Sequence, residues 1–167
     1  MLRLPDFNYV KPKSLKDAAR VLADLGPEAM AVAGGTDVYP KMKRGQFTPR
    51  HLVSLRLLAE LKGIRPQTKE GMWIGAAETL TQVSQDAAVR KLFPALAQAA
   101  GSVSTPQLRN TGTIGGNVFV DTRCNYYDQT FFWRQAAGFC MKKDGDICLV
   151  APKSKMCLAL FSSDTAP

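Results

Sequence analysis

The chain has no cysteine before residue 124 and only one histidine among its 167 residues, His51. The only histidine stands on a probable strand, so no Ser-His-Asp arrangement is read there, and His51 is taken as structural or solvated rather than catalytic. No two carboxylates are spaced as an obvious pair for acid–base work. No apolar run approaches the length of a membrane span. Met1 to Val10 lacks the basic start and long apolar core of a signal peptide, so a cytoplasmic location is expected. Internal repeats and low-complexity tracts are absent. The formal charge is +8, but the basic residues are scattered from Arg3 to Lys155 without a basic run. Nucleic-acid binding is therefore not expected. A subunit interface or an acidic electron-carrying partner fits this balance equally well. Neither G-x-G-x-x-G nor a P-loop is present, so a standard dinucleotide or Walker site is not supported.

The four cysteines that do occur are Cys124, Cys140, Cys148 and Cys157, spaced C-x15-C-x7-C-x8-C. A zinc ribbon would show C-x2-C knuckles, which are missing. By spacing alone the four can be buried small hydrophobes, two disulfides, a zinc site or the ligands of an iron–sulfur cluster. Their neighbours are polar and aromatic: Arg123, Asn125, Tyr126, Tyr127, Trp133 and Arg134. A plain hydrophobic core does not have that composition. Lys142, Lys143, Lys153 and Lys155 lie among the later cysteines and would attract an acidic carrier.

The length suits one compact domain or two small lobes. Ser14 to Asp17 reads as a capping box, followed by Leu15, Ala18, Ala19 and Leu22 at helical spacing. Gly26 and Pro27 stop that helix. Ala29 to Ala33 predicts a buried strand running into Gly34-Gly35-Thr36-Asp37. Val38 to Lys43 predicts a short helix and Leu52 to Leu55 another strand, giving an α/β lobe over residues 1–57. A second lobe, 58–167, begins near Leu58. Met72 to Ala76 is strand-like with Trp73 as a packing anchor. Thr79 caps a helix to about Asp86. A helical piece at Val89 to Leu92 breaks at Pro94, and Ala95 to Ala100 ends at Gly101. Gln107 to Asn117 reads as a glycine-rich loop.

Gly34-Gly35 and Gly115-Gly116 each follow apolar residues and precede a small polar one, Thr36 or Asn117. Paired glycines permit positive φ and let backbone N–H groups come close to an anion. Each pair alone can equally be an ordinary turn. Two of them facing each other would clamp a pyrophosphate, with Thr36, Thr113 and Asn117 adding side-chain hydrogen bonds.

Together these residues resemble the flavin-binding subunit of the molybdenum hydroxylase family, which includes xanthine and carbon monoxide dehydrogenases. Ala33-Gly34-Gly35-Thr36-Asp37 resembles the family's N-terminal flavin loop. Arg109-Asn110-x-x-Thr113-Ile114-Gly115-Gly116-Asn117 resembles its other glycine-rich flavin loop. Ser163-Asp164-x-Ala166-Pro167 is similar to a third motif, whose aspartate reaches the flavin. The resemblance implies an α+β, two-lobed FAD-binding domain of the molybdopterin dehydrogenase flavin-subunit type with a cysteine-rich loop insertion at 121–161. It implies FAD contacts from Ala31, Val32, Ala33, Gly34, Gly35, Thr36, Asp37, Val38, Val103, Thr113, Ile114, Gly115, Gly116, Asn117, Asn125 and Asp164. The family's flavin subunit continues past the point matched by Pro167, so the chain is expected to correspond to its N-terminal half.

The stretch Asp121-Thr-Arg-Cys124-x-Tyr126-Tyr127-x-Gln129 is similar to the start of an insertion in the 4-hydroxybenzoyl-CoA reductase branch of the family. That resemblance implies a [4Fe-4S] cluster on Cys124, Cys140, Cys148 and Cys157. It further implies an oxidoreductase subunit that is inactive alone. Electrons from ferredoxin would pass through the cluster and FAD to a [2Fe-2S] small subunit and a molybdopterin-binding large subunit, where 4-hydroxybenzoyl-CoA is reduced to benzoyl-CoA. No catalytic residue is expected in this chain. The alternatives are the FAD subunit of another xanthine or carbon monoxide dehydrogenase-like hydroxylase, and a non-enzymatic iron–sulfur remnant or assembly module.

Overall fold

The computed structural model describes residues 3–67 and 71–159. The first strand, β1 (Asn8–Val10), stands where the sequence shows only coil and helix signals. Three residues are too few for a period to show, and the strand exists because it pairs with a later one. Helix α1 (Leu15–Leu25) is capped by Ser14, whose hydroxyl accepts from the Asp17 N–H at 3.1 Å. The expected capping box closes one residue upstream: the Asp17 carboxylate accepts from the Lys13 N–H at 3.2 Å. Gly26 ends the helix at φ 52° with its N–H on the Leu22 carbonyl, as its spacing predicts.

Strand β2 (Ala29–Val32), helix α2 (Val38–Lys43) and strand β3 (His51–Ser54) complete the first lobe. The sheet order is β1-β3-β2 with both pairings parallel, Tyr9 and Met30 flanking Leu52. Successive residues of β3 face opposite sides. Val53 packs with Ala18 and Leu58 under α1, and Leu52 packs with Val32 and Met42 under α2. Each buried aliphatic side chain here contributes about 1.5–3 kcal/mol. Leu58, at the expected start of the second lobe, thus lies in a first-lobe core. His51 opens β3, half-buried.

The second lobe begins with an antiparallel pair, β4 (Ile64–Gln67) and β5 (Gly71–Ile74). Strand β4 escapes sequence reading because Arg65, Pro66 and Gln67 are exposed and lack an apolar alternation. Four helices follow: α3 (Leu80–Gln85), α4 (Ala87–Leu92), α5 (Pro94–Ser102) and α6 (Pro106–Arg109). They enclose Leu80, Val83, Val89, Ala97 and Ala100. The helical piece does end before Pro94: α4 stops at Leu92, and Pro94 occupies the first turn of α5, where a missing N–H costs nothing. Gly101 is inside α5 rather than beyond it. A Cβ at that position would lie 3.6 Å from the Ser84 side chain, an ordinary contact, so packing on α3 does not require the glycine. The expected loop at 107–117 is replaced by α6 and by α7 (Ile114–Val118). The cysteine segment contributes one more helix, α8 (Phe131–Ala136). No helix among the described residues is long and apolar enough to cross a membrane.

Thr79 and Gln82 form a complete capping box at the start of α3. Thr79→Ala should therefore lower the unfolding free energy by about 1 kcal/mol, read as a lower urea midpoint with an unchanged slope.

Candidate functional site

The first glycine turn leaves the carboxyl end of β2, the place where open parallel sheets present ligand crevices. Gly35 has φ 73°, which an L side chain adopts at a cost, and the Tyr39 ring fills the space behind it. Gly34 is small for a different reason. A Cβ there would collide with the Thr111 carbonyl and lie 3.0 Å from the Gly112 Cα. Thr36 meets the same strip, its hydroxyl 3.3 Å from where a Cβ on Gly112 would stand. The two lobes therefore touch through the two glycine segments.

The second segment is held by its own lobe. Ile114 donates to the Glu78 carbonyl at 2.8 Å and Gly115 to the Ala76 carbonyl at 2.9 Å. Thr113, buried, caps α7 by accepting from the Gly116 N–H at 3.2 Å. A Cβ on Gly115 would lie 2.7 Å from the Ala76 carbonyl oxygen. Of the two glycines only Gly116 is exposed, and a Cβ there would meet nothing except its own cap at 3.1 Å. The expectation of phosphate-binding donors at both glycine pairs is thus divided. The N–H groups of Gly115 and Gly116 are already engaged, while those of Gly34, Gly35 and Thr36 find no acceptor among the described residues. The first turn offers donors and Gly116 offers close approach. The unengaged donors of the first turn fit an anionic group bound there.

The other expected contacts are distributed around this seam. Val32 faces the first-lobe core, and Ala31 is exposed on the edge strand. Ala33 and Val38 flank the turn. Val103 packs on the second-lobe core, and its carbonyl accepts from Arg109 at 2.8 Å. Ile114 packs on the same core, and Asn117 follows on α7. Asn125 is exposed beside Cys124. Asp164 lies outside the described residues.

A charged network that the sequence spacing does not reveal joins the first turn to the cysteine segment. Asp37, the last residue of the turn, pairs with Arg123 and, at 3.5 Å, with Lys41. The Lys41 side chain is 2% exposed and also meets Asp128 at 3.5 Å and Asp121 at 3.8 Å. Asp128 further meets Arg44 and Arg123, each at 3.7 Å, and accepts from the Gln46 amide at 3.3 Å. Arg134 is buried on α8 against the Phe131 and Phe139 rings and pairs with Asp144 at 2.7 Å. A buried cation in a short helix has no periodic signature, so neither Lys41 nor Arg134 stands out in the sequence.

Tyr127 donates to Asp121 at 3.0 Å, and burial together with that carboxylate pushes its pKa up to about 12. A raised folded-state pKa contributes stability present below the ordinary tyrosine value and lost as pH rises toward the folded one. Stability should therefore fall between about pH 10 and 12, and Tyr127→Phe should flatten that fall in urea midpoints measured across the range.

All four cysteines are free thiols, with Cys140 and Cys148 buried and Cys124 and Cys157 half-buried. Cys148 sulfur accepts from the Ala151 N–H at 3.4 Å, the kind of contact that stabilises a thiolate. The donor chemistry suits iron–sulfur ligation, but the sulfurs are not gathered. Among the described residues no three His, Cys, Asp or Glu side chains stand close enough to hold one metal. The lysine patch is likewise incomplete. Lys142 donates to the Ala159 carbonyl at 3.2 Å and lies over the Tyr127 ring, leaving Lys143, Lys153 and Lys155 exposed.

Comparison with known proteins identifies the family. Residues 5–167 match the model of the FAD binding domain in molybdopterin dehydrogenase. The chain is 40% identical over 111 residues to the xanthine dehydrogenase FAD-binding subunit of Escherichia coli O157:H7, covering 66% of this chain and 38% of that one. It is 38% identical over 114 residues to the carbon monoxide dehydrogenase medium chain of Hydrogenophaga pseudoflava, covering 68% and 39%. A solved structure of that organism's carbon monoxide dehydrogenase lacking the Mo-pyranopterin moiety superposes with a TM-score of 0.67 at 37% identity, over 70% of this chain and 40% of that one. The chain thus spans about two fifths of the length of the curated relatives it matches. On the family match and these identities, the chain belongs to the FAD-binding domains of the molybdopterin dehydrogenases.

Proposed function

We propose that the chain supplies the flavin-binding lobes of an electron-transfer subunit in a molybdenum hydroxylase of the xanthine or carbon monoxide dehydrogenase kind. The observation that carries this reading is the seam, where the Gly34–Thr36 turn, whose N–H groups find no acceptor among the described residues, packs against Thr111 and Gly112 of the second glycine segment. The turn's donors would hold the anionic pyrophosphate of FAD, and Thr36 would add its hydroxyl. Bound FAD supplies the capacity to take up and pass on electrons one or two at a time. The residues of this chain bind and orient it; none is a candidate to react with substrate. The partners in this reading are a large molybdopterin-binding subunit and a small [2Fe-2S] subunit.

The decisive experiment is a flavin titration of the natural protein, followed by fluorescence. FAD should bind with one equivalent per chain and FMN much more weakly, since FMN lacks the pyrophosphate-linked half. Equal affinity for riboflavin and FAD would overturn the assignment of the seam to pyrophosphate.

A second reading, the 4-hydroxybenzoyl-CoA reductase branch with a ferredoxin donor and a [4Fe-4S] cluster, is favoured by one observation. Four unpaired thiols occur in a segment fastened to the flavin turn. Soft thiolates suit such a cluster, although the sulfurs would have to be drawn together. Anaerobic purification decides it. About four irons per chain and dehydroxylation of the CoA thioester by the assembled complex would establish this branch. An iron-free segment in an active hydroxylase would eliminate it. Iron without any flavin uptake would instead mark a non-enzymatic iron–sulfur module.

A further inference from the structure

Among the described residues, the hydrogen bonds and ion pairs between the side chains of the cysteine segment, 121–159, and the first lobe belong to one network. On the first-lobe side stand Asp37, Lys41, Arg44 and Gln46. On the other stand Asp121, Arg123 and Asp128. Asp37 is the closing residue of the flavin turn, and Arg123 is covalently next to Cys124. One ion pair therefore separates the proposed phosphate donors from the first cysteine of the segment.

We propose that Arg123 and Asp128 are positioning residues that make the cysteine segment and the first glycine turn a single cooperative unit. The flavin turn keeps its shape only while the segment is docked, and the segment docks only while the turn is formed. The part concerning flavin rests on the reading given above; the coupling itself does not.

Three features support a coupled element rather than a decorated surface. Lys41 is almost fully buried and touches three carboxylates from both sides of the junction. Undocking the segment would leave that ammonium with Asp37 alone, and a buried charge deprived of its partners is costly. Asp128 is 12% exposed and serves Lys41, Arg44, Arg123 and Gln46 together, so the four cannot be released one at a time. Lys41 sits on α2, which begins directly after the turn. Its displacement would shift the helix that sets the direction of Asp37. Coupling of this kind is reciprocal, so whatever orders one partner orders the other to the same degree.

The test uses the natural protein, first without flavin, with Arg123→Gln, Asp128→Asn and the conservative Arg123→Lys. Amide hydrogen exchange is followed at Tyr39 and Lys41, whose N–H groups donate to the Gly35 and Asp37 carbonyls of the turn, at 121–128 and, as a reference, in the second-lobe core around Val83. Arg123→Gln and Asp128→Asn should each speed exchange about tenfold in both segments while leaving the core unchanged. Arg123→Lys should restore most of the protection. Faster exchange at 121–128 alone would overturn the coupling. If Arg123→Gln fails to fold, Arg44→Gln at the more exposed rim should give a smaller rise in the same two segments, and a rise in one only would be equally fatal. Flavin affinity is measured next: both disruptive variants should bind FAD about tenfold more weakly, and an unchanged affinity would refute the link to the flavin site. Absence of flavin binding in the unsubstituted protein would refute the proposed function, while the exchange experiment would still decide the coupling.

Discussion

Gly34→Ala is expected to cost about 3 kcal/mol or more of stability, and Gly116→Ala about 1 kcal/mol or less. Both glycines lie in segments that resemble the family's flavin loops, but their surroundings differ. A methyl at Gly34 drives into the Thr111 carbonyl, which is backbone and cannot rotate away. Overpacking against fixed atoms costs about 1–3 kcal/mol and sometimes more, and here it would wedge the two lobes apart. A methyl at Gly116 meets only the Thr113 hydroxyl, in a helical backbone that tolerates alanine. Urea denaturation of both variants separates the cases. In flavin titrations, Gly116→Val should weaken FAD without lowering the urea midpoint by much. Full FAD affinity in Gly116→Val would show that the exposed surface of α7 does not face the cofactor. Gly35 is a poorer probe, because its positive φ and the Tyr39 ring would penalise any side chain regardless of flavin.

Lys41→Met should destabilise the protein by about 3–5 kcal/mol, the range seen when one partner of a buried charge cluster is removed. The methionine fills nearly the same volume, so little of the loss comes from a cavity. Most of it comes from Asp37, Asp121 and Asp128, which face one another at the junction with only Arg44 and Arg123 left to compensate. Calorimetry should show a lowered transition temperature, and the double variant Lys41→Met with Asp128→Asn should recover part of it. A loss of under about 1 kcal/mol would mean that the cluster behaves like a surface pair.

The elements legible in the sequence are those announced by local chemistry. Ser14, Gly26 and Thr79 mark helix ends with side-chain or φ requirements that act within a few residues, and α2 lies where its spacing puts it. Both glycine pairs are legible as special. Their reasons are not, because Gly34 and Gly115 are small to admit the Thr111 and Ala76 backbone from distant parts of the chain. Strands β1 and β4 depend on partners rather than on their own pattern. Pro94 is legible as the boundary between α4 and α5, whereas Gly101 misleads because it is read as a terminator and lies inside α5. The cysteines are legible as a group, yet spacing carries no information on how their segment is fastened. That attachment depends on Lys41, Arg123 and Asp128, ordinary surface residue types made interior by the fold.

The strand order β1-β3-β2 has a consequence for how the lobe assembles. Strands β1 and β2 are not paired with each other; each finds its sheet partner in β3, the last of the three to be synthesised. A nascent chain that has emerged only as far as α2 has two orphan strands and an unanchored glycine turn beyond the second. The sheet must then close in one step around His51–Ser54, a non-local event of the kind that slows folding. Thr111, which walls the turn, and Arg123, which pins its last residue, arrive later still. The turn leaves the ribosome before the segments that fix it and acquires its final shape only after them.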